Sequence, residues 1–328
     1  MRFGLFLPQG WRLDLVDVAP VDHWSAITGL AGRADAGPWE SVWVYDHMHT
    51  APLTAGEATH EAWSLMAGLG TATSRVRLGQ MCTCIGYRNP ALLAKTASTV
   101  DMISGGRVEM GIGAGWYQHE WEAYGYGFPS AGERIAMLDE GVQIMREAWR
   151  AGEVSFRGRH FRVDGAIVQP RPLQGDGIPL WIAGGGERKT LRTAARYADY
   201  TNFDGSPEGF ARKSEVLLRH CADIGRDPAE ITRTANYNVA IGETERDVAD
   251  RLAFLHDRIA RFAGTERADR ELRGYQGLPA VGTPEQIVEK LTALADAGLG
   301  YGVFYFPEVA GDTSGLELFE RQVIPALR

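Results

Sequence analysis

Apolar residues along the chain fall into short runs separated by longer stretches with helical spacing. The runs Arg2–Leu7, Ser41–Tyr45, Val76–Cys82, Val108–Ile112, Pro179–Ala183, Tyr200–Phe203, Ile231–Ile241 and Tyr301–Phe306 read as strands. Between them, Asp22–Ala36, Glu61–Ala72, Pro90–Ser104, Glu133–Trp149, Arg188–Ala198, Pro207–Ile224, Glu245 to about Gly264 and Thr283–Ala297 read as helices, with Leu316–Ile324 as a closing helix. Local punctuation supports these bounds. Pro90 stands at a first helical turn, Gly105-Gly106 follows a last one, and Thr283 with Gln286 has capping-box spacing. The rhythm breaks at 152–178, where Val154 to Val163 predicts a hairpin, and residues Thr265–Ala280 read as a loop.

Strands that alternate with helices imply a parallel sheet. Eight such units predict a (β/α)8 TIM barrel in one domain over residues 1–328, with insertions near 49–60, 116–130, 152–178 and 256–280. A doubly wound sheet is the runner-up. That fold usually carries GxGxxG after its first strand, where this chain has Leu7-Pro8-Gln9-Gly10.

In a barrel, chemistry sits at the C-terminal ends of the strands. Those ends carry Pro8-Gln9, Tyr45-Asp46-His47, Cys82-Thr83-Cys84, Gly113-Ala114-Gly115-Trp116, Gly184-Gly185-Gly186-Glu187, Asn202, Asn236 to Asn238, and Tyr305 to Glu308. The run Gly184 to Thr190 opens a helix. Its glycines let backbone amides approach a phosphate, and Arg188 or Lys189 can complete the pocket. His47 follows a buried strand, and histidine is the side chain that changes charge nearest neutrality. Asp46 either fixes its tautomer or makes a separate contact. Gly111 to Gly115 offers backbone clearance for a flat ring or for packing, with Trp116 and Tyr117 as walls. His119, Glu120, Trp121, Tyr124 and Tyr126 form an unusually aromatic loop, read as a lid or an interface. Arg134, Arg146 and Arg150 read as a solvated helix face, and His160 as ordinary surface.

Composition narrows the function. Glycine is high, at 40 of 328 residues, against a usual share of roughly 7%. The net charge of −8 argues against a nucleic-acid binder. Lysine is scarce and arginine carries most of the positive charge. No apolar run reaches the length of a membrane span, and the start reads as a strand rather than a signal peptide. Cys82, Cys84 and Cys221 form no disulfide framework, which fits a reduced, cytoplasmic protein. The spacing of His47, His49 and His60 fits no zinc pattern, so no metal is expected.

Several stretches together resemble the luciferase-like monooxygenase superfamily, and within it the coenzyme F420-dependent oxidoreductases. They are Glu40 to His47, Thr73 to Gly79, Gly86 to Lys95, Asp101 to Arg107, Gly111 to Tyr117 and Trp181 to Gly186. The resemblance implies a bacterial luciferase-like barrel holding a flavin or deazaflavin at its mouth. His47 then lies near the reactive ring with Asp46 beside it. A non-proline cis peptide is implied near Met81-Cys82, under the ring. The expected cofactor contacts are Met81, Cys82, Thr83, Gly113, Ala114, Gly115, Gly184, Gly185, Gly186, Glu187, Arg188 and Asn202. Phe6, Trp116, Tyr117 and Tyr305 are expected to shape the substrate pocket. Trp116 stands where some deazaflavin sugar-phosphate dehydrogenases of the superfamily have a catalytic glutamate, and Gly113 where bacterial luciferases have a cysteine.

Three readings follow. The first is an F420-dependent oxidoreductase that transfers a hydride to or from a small molecule. The second is an FMN monooxygenase fed with reduced flavin by a partner reductase. The third is a non-catalytic cofactor-binding protein. Arg88, Arg188 and Lys189 are candidate cations for the larger deazaflavin tail. The resemblance also implies a homodimer.

Overall fold

The computed structural model describes residues 1–51, 54–175 and 177–328; the positions of the expected insertions at 52, 53 and 176 lie outside the described residues. Eight parallel strands close into a barrel: β1 (Arg2–Phe6), β2 (Ser41–Val44), β3 (Arg77–Gln80), β4 (Val108–Gly113), β5 (Leu180–Ala183), β6 (Tyr200–Phe203), β7 (Thr232–Asn238) and β8 (Tyr301–Tyr305). β1 pairs with β2 and β8, and β3 pairs with β4 through Leu78↔Val108 and Gly79↔Glu109, which closes the ring. The fold is the expected TIM barrel. The strand expected over Ile231–Ile241 divides: Thr232–Asn238 stays in the barrel, while Ala240–Ile241 pairs with Val281–Gly282 outside it.

Large side chains fill the barrel. Trp43 packs edge-on against Trp181 at 4.6 Å, and Trp181 stacks on Tyr200 at 4.2 Å. Glycine makes this possible. A Cβ at Gly79 would lie 2.3 Å from the Trp43 ring, and one at Gly4 2.5 Å from its Nε1. The Trp181 Nε1–H finds a buried acceptor in Glu109 Oε2 at 2.6 Å, which in turn pairs with Arg77. A second apolar layer, including Leu5, Leu78, Ile112 and Leu291, lies between the strands and the surrounding helices.

The insertions are built at the barrel's periphery and over its mouth. Residues 153–157 and 162–167 form the expected antiparallel hairpin. The aromatic 116–130 segment contains a short helix, Gln118–Ala123, that buries Glu120 and Trp121. The loop expected at Thr265–Ala280 is instead partly helical, over Thr265–Arg273. That helix has little apolar face of its own and buries only Ala268. It is held by the preceding helix Glu245–Ala263, through a cluster that includes Leu255, Ile259 and Tyr275.

Candidate active site at the barrel mouth

The ends of β1, β2, β3, β4, β5, β7 and β8 surround a cavity of about 490 Å³. Of the residues expected at a site, Phe6, Asp46, His47, Met81, Cys82, Gly113, Ala114, Gly115, Trp116, Tyr117, Gly184, Gly186 and Tyr305 line it. Thr83, Gly185, Glu187, Arg188 and Asn202 lie outside that lining. Thr83 is fully buried and donates to Gln80 Oε1, while Asn202 donates to Thr234 Oγ1 and Asn236 Oδ1 beneath the floor.

His47 is fixed from two directions. Its ring lies flat against Trp11, with centroids 4.2 Å apart and planes 4° apart. Its Nδ1 is 2.9 Å from Glu120 Oε2. Glu120 is fully buried and also accepts from the Met48 and His49 amides and the Tyr87 hydroxyl. Burial opposes its charge. The His47 bond and the two amides outweigh burial and hold its carboxyl below the ordinary glutamate value. A carboxylate only accepts, so the hydrogen of neutral His47 sits on Nδ1 and the Nε2 lone pair is left bare. Nε2 has no hydrogen-bond partner among the described residues.

Asp46 makes the separate contact. It takes a two-pronged ion pair from Arg88, at 2.7 and 2.9 Å, and the Cys84 amide at 2.9 Å. The same Arg88 Nη2 that binds Asp46 Oδ1 also donates to Glu61 Oε1 at 2.7 Å. Both of its terminal nitrogens are thus engaged by carboxylates of the protein itself. The backbone turns under the cavity at a cis Met81–Cys82 peptide, where the resemblance implied it. Burial, with Asp46 nearby, pushes the Cys82 thiol up to about 12, so it stays neutral.

The glycine-rich strand end serves the protein's own packing. A Cβ at Gly113 would meet Cys82 Sγ at 2.6 Å, and one at Gly115 would meet Cys84 Sγ at 2.4 Å. Gly184 has φ +120°, a left-handed value that favours glycine, and its amide donates to Asn202 O at 2.8 Å. Thr190, the first residue of the helix Thr190–Tyr197, faces the cavity, and no side chain caps that helix start. Glu187 points to Lys213 and Arg212, at 2.8 and 2.7 Å, and Arg188 and Lys189 are exposed. The donor set beside Gly184 and Gly186 is thus an open helix N-terminus with glycine backbone, chemistry that suits a phosphate.

Other expectations resolve by packing. Phe6 stacks on Tyr45 at 4.3 Å under the cavity. Trp116 is 61% exposed and stacks on Tyr117, whose hydroxyl reaches Thr50 O at 3.0 Å; together they form a rim. Arg134, expected on a solvated face, is buried. It donates to Gly115 O at 3.1 Å and to Pro129 O, with Phe128 beneath its guanidinium. The three histidines weighed as a metal set part company: His49 meets His119 at 2.9 Å and His60 meets His23 at 3.0 Å. Among the described residues, no group of three His, Cys, Asp or Glu side chains is placed to hold a metal ion, and no helix is long and apolar enough to cross a membrane.

Sequence reasoning missed the flat contact of Trp11, the Glu120–His47 bond, and the inward turn of Arg134. Trp11 had a legible signal, since it follows the first strand end. Glu120 lies 73 residues from its partner, and no local pattern links them.

Comparison with known proteins agrees with this architecture. The family model described as luciferase-like monooxygenase matches residues 1–300. An F420-dependent glucose-6-phosphate dehydrogenase of Rhodococcus erythropolis is 30% identical over 91% of this chain and 92% of its own. A pyrimidine monooxygenase RutA of Stutzerimonas stutzeri is 32% identical over 69% of this chain and 61% of its own. Among solved structures, an F420-dependent secondary alcohol dehydrogenase in complex with an F420-acetone adduct superposes with a TM-score of 0.81 at 23% identity, over 100% of this chain and 99% of that one. Barrel, site position and family match converge, and the chain belongs to the luciferase-like monooxygenase family of oxidoreductases.

Proposed function

We propose that this protein is an F420-dependent oxidoreductase that moves a hydride between the deazaflavin and a small organic substrate at the barrel mouth. The observation that carries the reading is His47, clamped by Trp11 and Glu120 with Nε2 bare at a cavity beside an open helix N-terminus. The curated relative that aligns along nine-tenths of the chain is named for F420. When bound, the deazaflavin supplies a ring that carries a two-electron hydride equivalent.

The donor set fits such a group. The amides at Gly186 and Thr190 would hold the phosphate, and Met81, Cys82, Gly113 and Ala114 would border the ring. His47 Nε2 takes a proton from the substrate, or returns one to it, at the oxygen whose carbon changes oxidation state. Glu120 holds the tautomer that leaves Nε2 available and stabilises the imidazolium once it forms. Trp116 and Tyr117 shield the mouth from water. Asp46 acts through structure, since Arg88 and the Cys84 amide occupy its carboxylate.

A second reading is favoured by the RutA relative: an FMN monooxygenase supplied with reduced flavin by a partner reductase. The phosphate donors serve either cofactor. We expect the protein to work as a homodimer. Titration of purified protein with coenzyme F420 and with FMN, followed by cofactor fluorescence, tests the choice. Tight F420 and weak FMN binding is expected. The reverse selects oxygen chemistry, and binding of neither refutes the phosphate site.

A further inference from the structure

The main cavity opens sideways into an annex of about 380 Å³ beneath the helices Glu245–Ala263 and Thr265–Arg273. Trp11, Arg12, Trp116, Tyr117, Asn238 and Tyr305 line both spaces. Charged residues of the annex are Arg12, Arg267 and Glu271. Arg267 and Glu271 pair at 2.8 Å and cancel. Arg12 forms no ion pair among the described residues. Its guanidinium lies on the Tyr305 ring, 4.7 Å from the centroid, and 5.3 Å from that of Trp11. One arm donates to Asn238 Oδ1 at 2.5 Å.

The nearby carboxyl of Asp14 does not serve as a counter-ion in contact. It accepts from the Gly10 amide at 2.6 Å and the Tyr305 hydroxyl at 3.1 Å. Guanidinium has five N–H donors in a fork that matches a flat oxyanion. With its oxygen engaged by Arg12, the Asn238 amide turns its own N–H groups away from that arm, as a further donor. The remaining walls are apolar: Leu255, Ile259 and Tyr275. A half-buried cation left without a carboxylate partner is costly, and a bound anion relieves that cost.

We infer that the annex is a substrate subsite for a carboxylate group carried on an apolar or aromatic body, with Arg12 as the specificity-determining residue and Asn238 beside it. Asp14 acts on Arg12 only through space, so one carboxylate in the annex would be the direct anionic partner that Arg12 lacks among the described residues. A phosphate monoester carries nearly two charges and would leave one unmatched. The inference rests on the reading of the mouth as the place where a small substrate meets the redox cofactor, and it adds the class of that substrate.

Phenylacetate and phenylacetamide have the same shape and differ in charge. Each is titrated by calorimetry into the protein alone and into protein saturated with F420. The acid is expected to bind at least about tenfold more tightly than the amide, the scale of one charge-assisted contact. Arg12→Met abolishes that preference, Arg12→Lys keeps part of it, and F420 affinity is unchanged in both. Equal affinity of acid and amide for the unaltered protein overturns the inference without any variant. So does a preference that survives Arg12→Met. Loss of F420 affinity in Arg12→Met overturns it too, by assigning Arg12 to the carboxylates of the cofactor tail. Failure of F420 to bind the unaltered protein strikes the cofactor reading alone, because the acid–amide comparison on the free protein still decides the subsite.

Discussion

Replacing Glu120 by glutamine keeps the side chain's shape and removes its charge. The carboxylate accepts four hydrogen bonds: His47 Nδ1 at 2.9 Å, the Met48 and His49 amides at 2.7 and 2.9 Å, and the Tyr87 hydroxyl at 2.9 Å. Both backbone amides bind Oε1, so the glutamine oxygen stays there and its NH2 turns toward His47 and Tyr87. An NH2 facing Nδ1 donates, which moves the histidine hydrogen to Nε2. The base then presents a hydrogen where it needs a lone pair. A general base contributes about 10²–10⁴ in rate, and holding it in the wrong tautomer forfeits most of that. Tyr87 can rotate its hydroxyl to accept, so the net cost to stability is that of one charged hydrogen bond, about 1.5–3 kcal/mol. At roughly 2.1 cal/mol/K of unfolding entropy per residue, a chain of this length loses about 2–4 °C in Tm. Acid stability moves with it. The folded Glu120 value is lowered, so its contribution is present above the unfolded glutamate pKa and is lost as pH falls through the folded one. Glu120→Gln removes this part of the acid limb. The assay is nitrogen-detected NMR of the histidine rings, with thermal unfolding and F420 turnover on the same sample. A variant with unchanged His47 tautomer and unchanged turnover refutes the reasoning.

His47→Ala should lower turnover by about 10²–10⁴ while F420 still binds, read by steady-state rate beside fluorescence titration; full activity removes His47 from the chemistry. Arg88→Met leaves the buried Asp46 carboxylate without its ion pair and should cost about 3–5 kcal/mol in chemical unfolding, with most of that recovered in the double variant carrying Asp46→Asn. If the single and double variants unfold alike, the pair is not the source. Thr190→Asp places a carboxylate at the open start of the helix Thr190–Tyr197, where it favours the helix and repels a phosphate. Tm should hold or rise while F420 and FMN affinity both fall more than about tenfold; unaltered affinity moves the phosphate site elsewhere.

The alternation of short apolar runs with helical stretches was enough to place eight strand–helix units and to put a closed barrel ahead of a doubly wound sheet; the pairing of β3 with β4 that closes the ring came with the structure. Each unit is encoded within about thirty residues, the range over which period, capping and turn residues act. The same local reach marked the strand ends, and with them His47, the glycine run Gly184 to Gly186 and the rim residue Trp116. The helix Thr265–Arg273 escaped because its apolar pattern is thin. It is held by i,i+4 pairs such as Arg267–Glu271 and by the helix before it. Arg134 reads as surface from its helix neighbours, and the Gly115 and Pro129 carbonyls with the Phe128 ring turn it inward. Closure of the barrel also brought Glu120 to His47, Trp11 beneath the same ring, and Arg12 to an annex roofed by a distant insertion. A local pattern specifies which face of an element is buried. It does not specify which polar atom from another element arrives there, because that depends on how the strands close and where the loops cross.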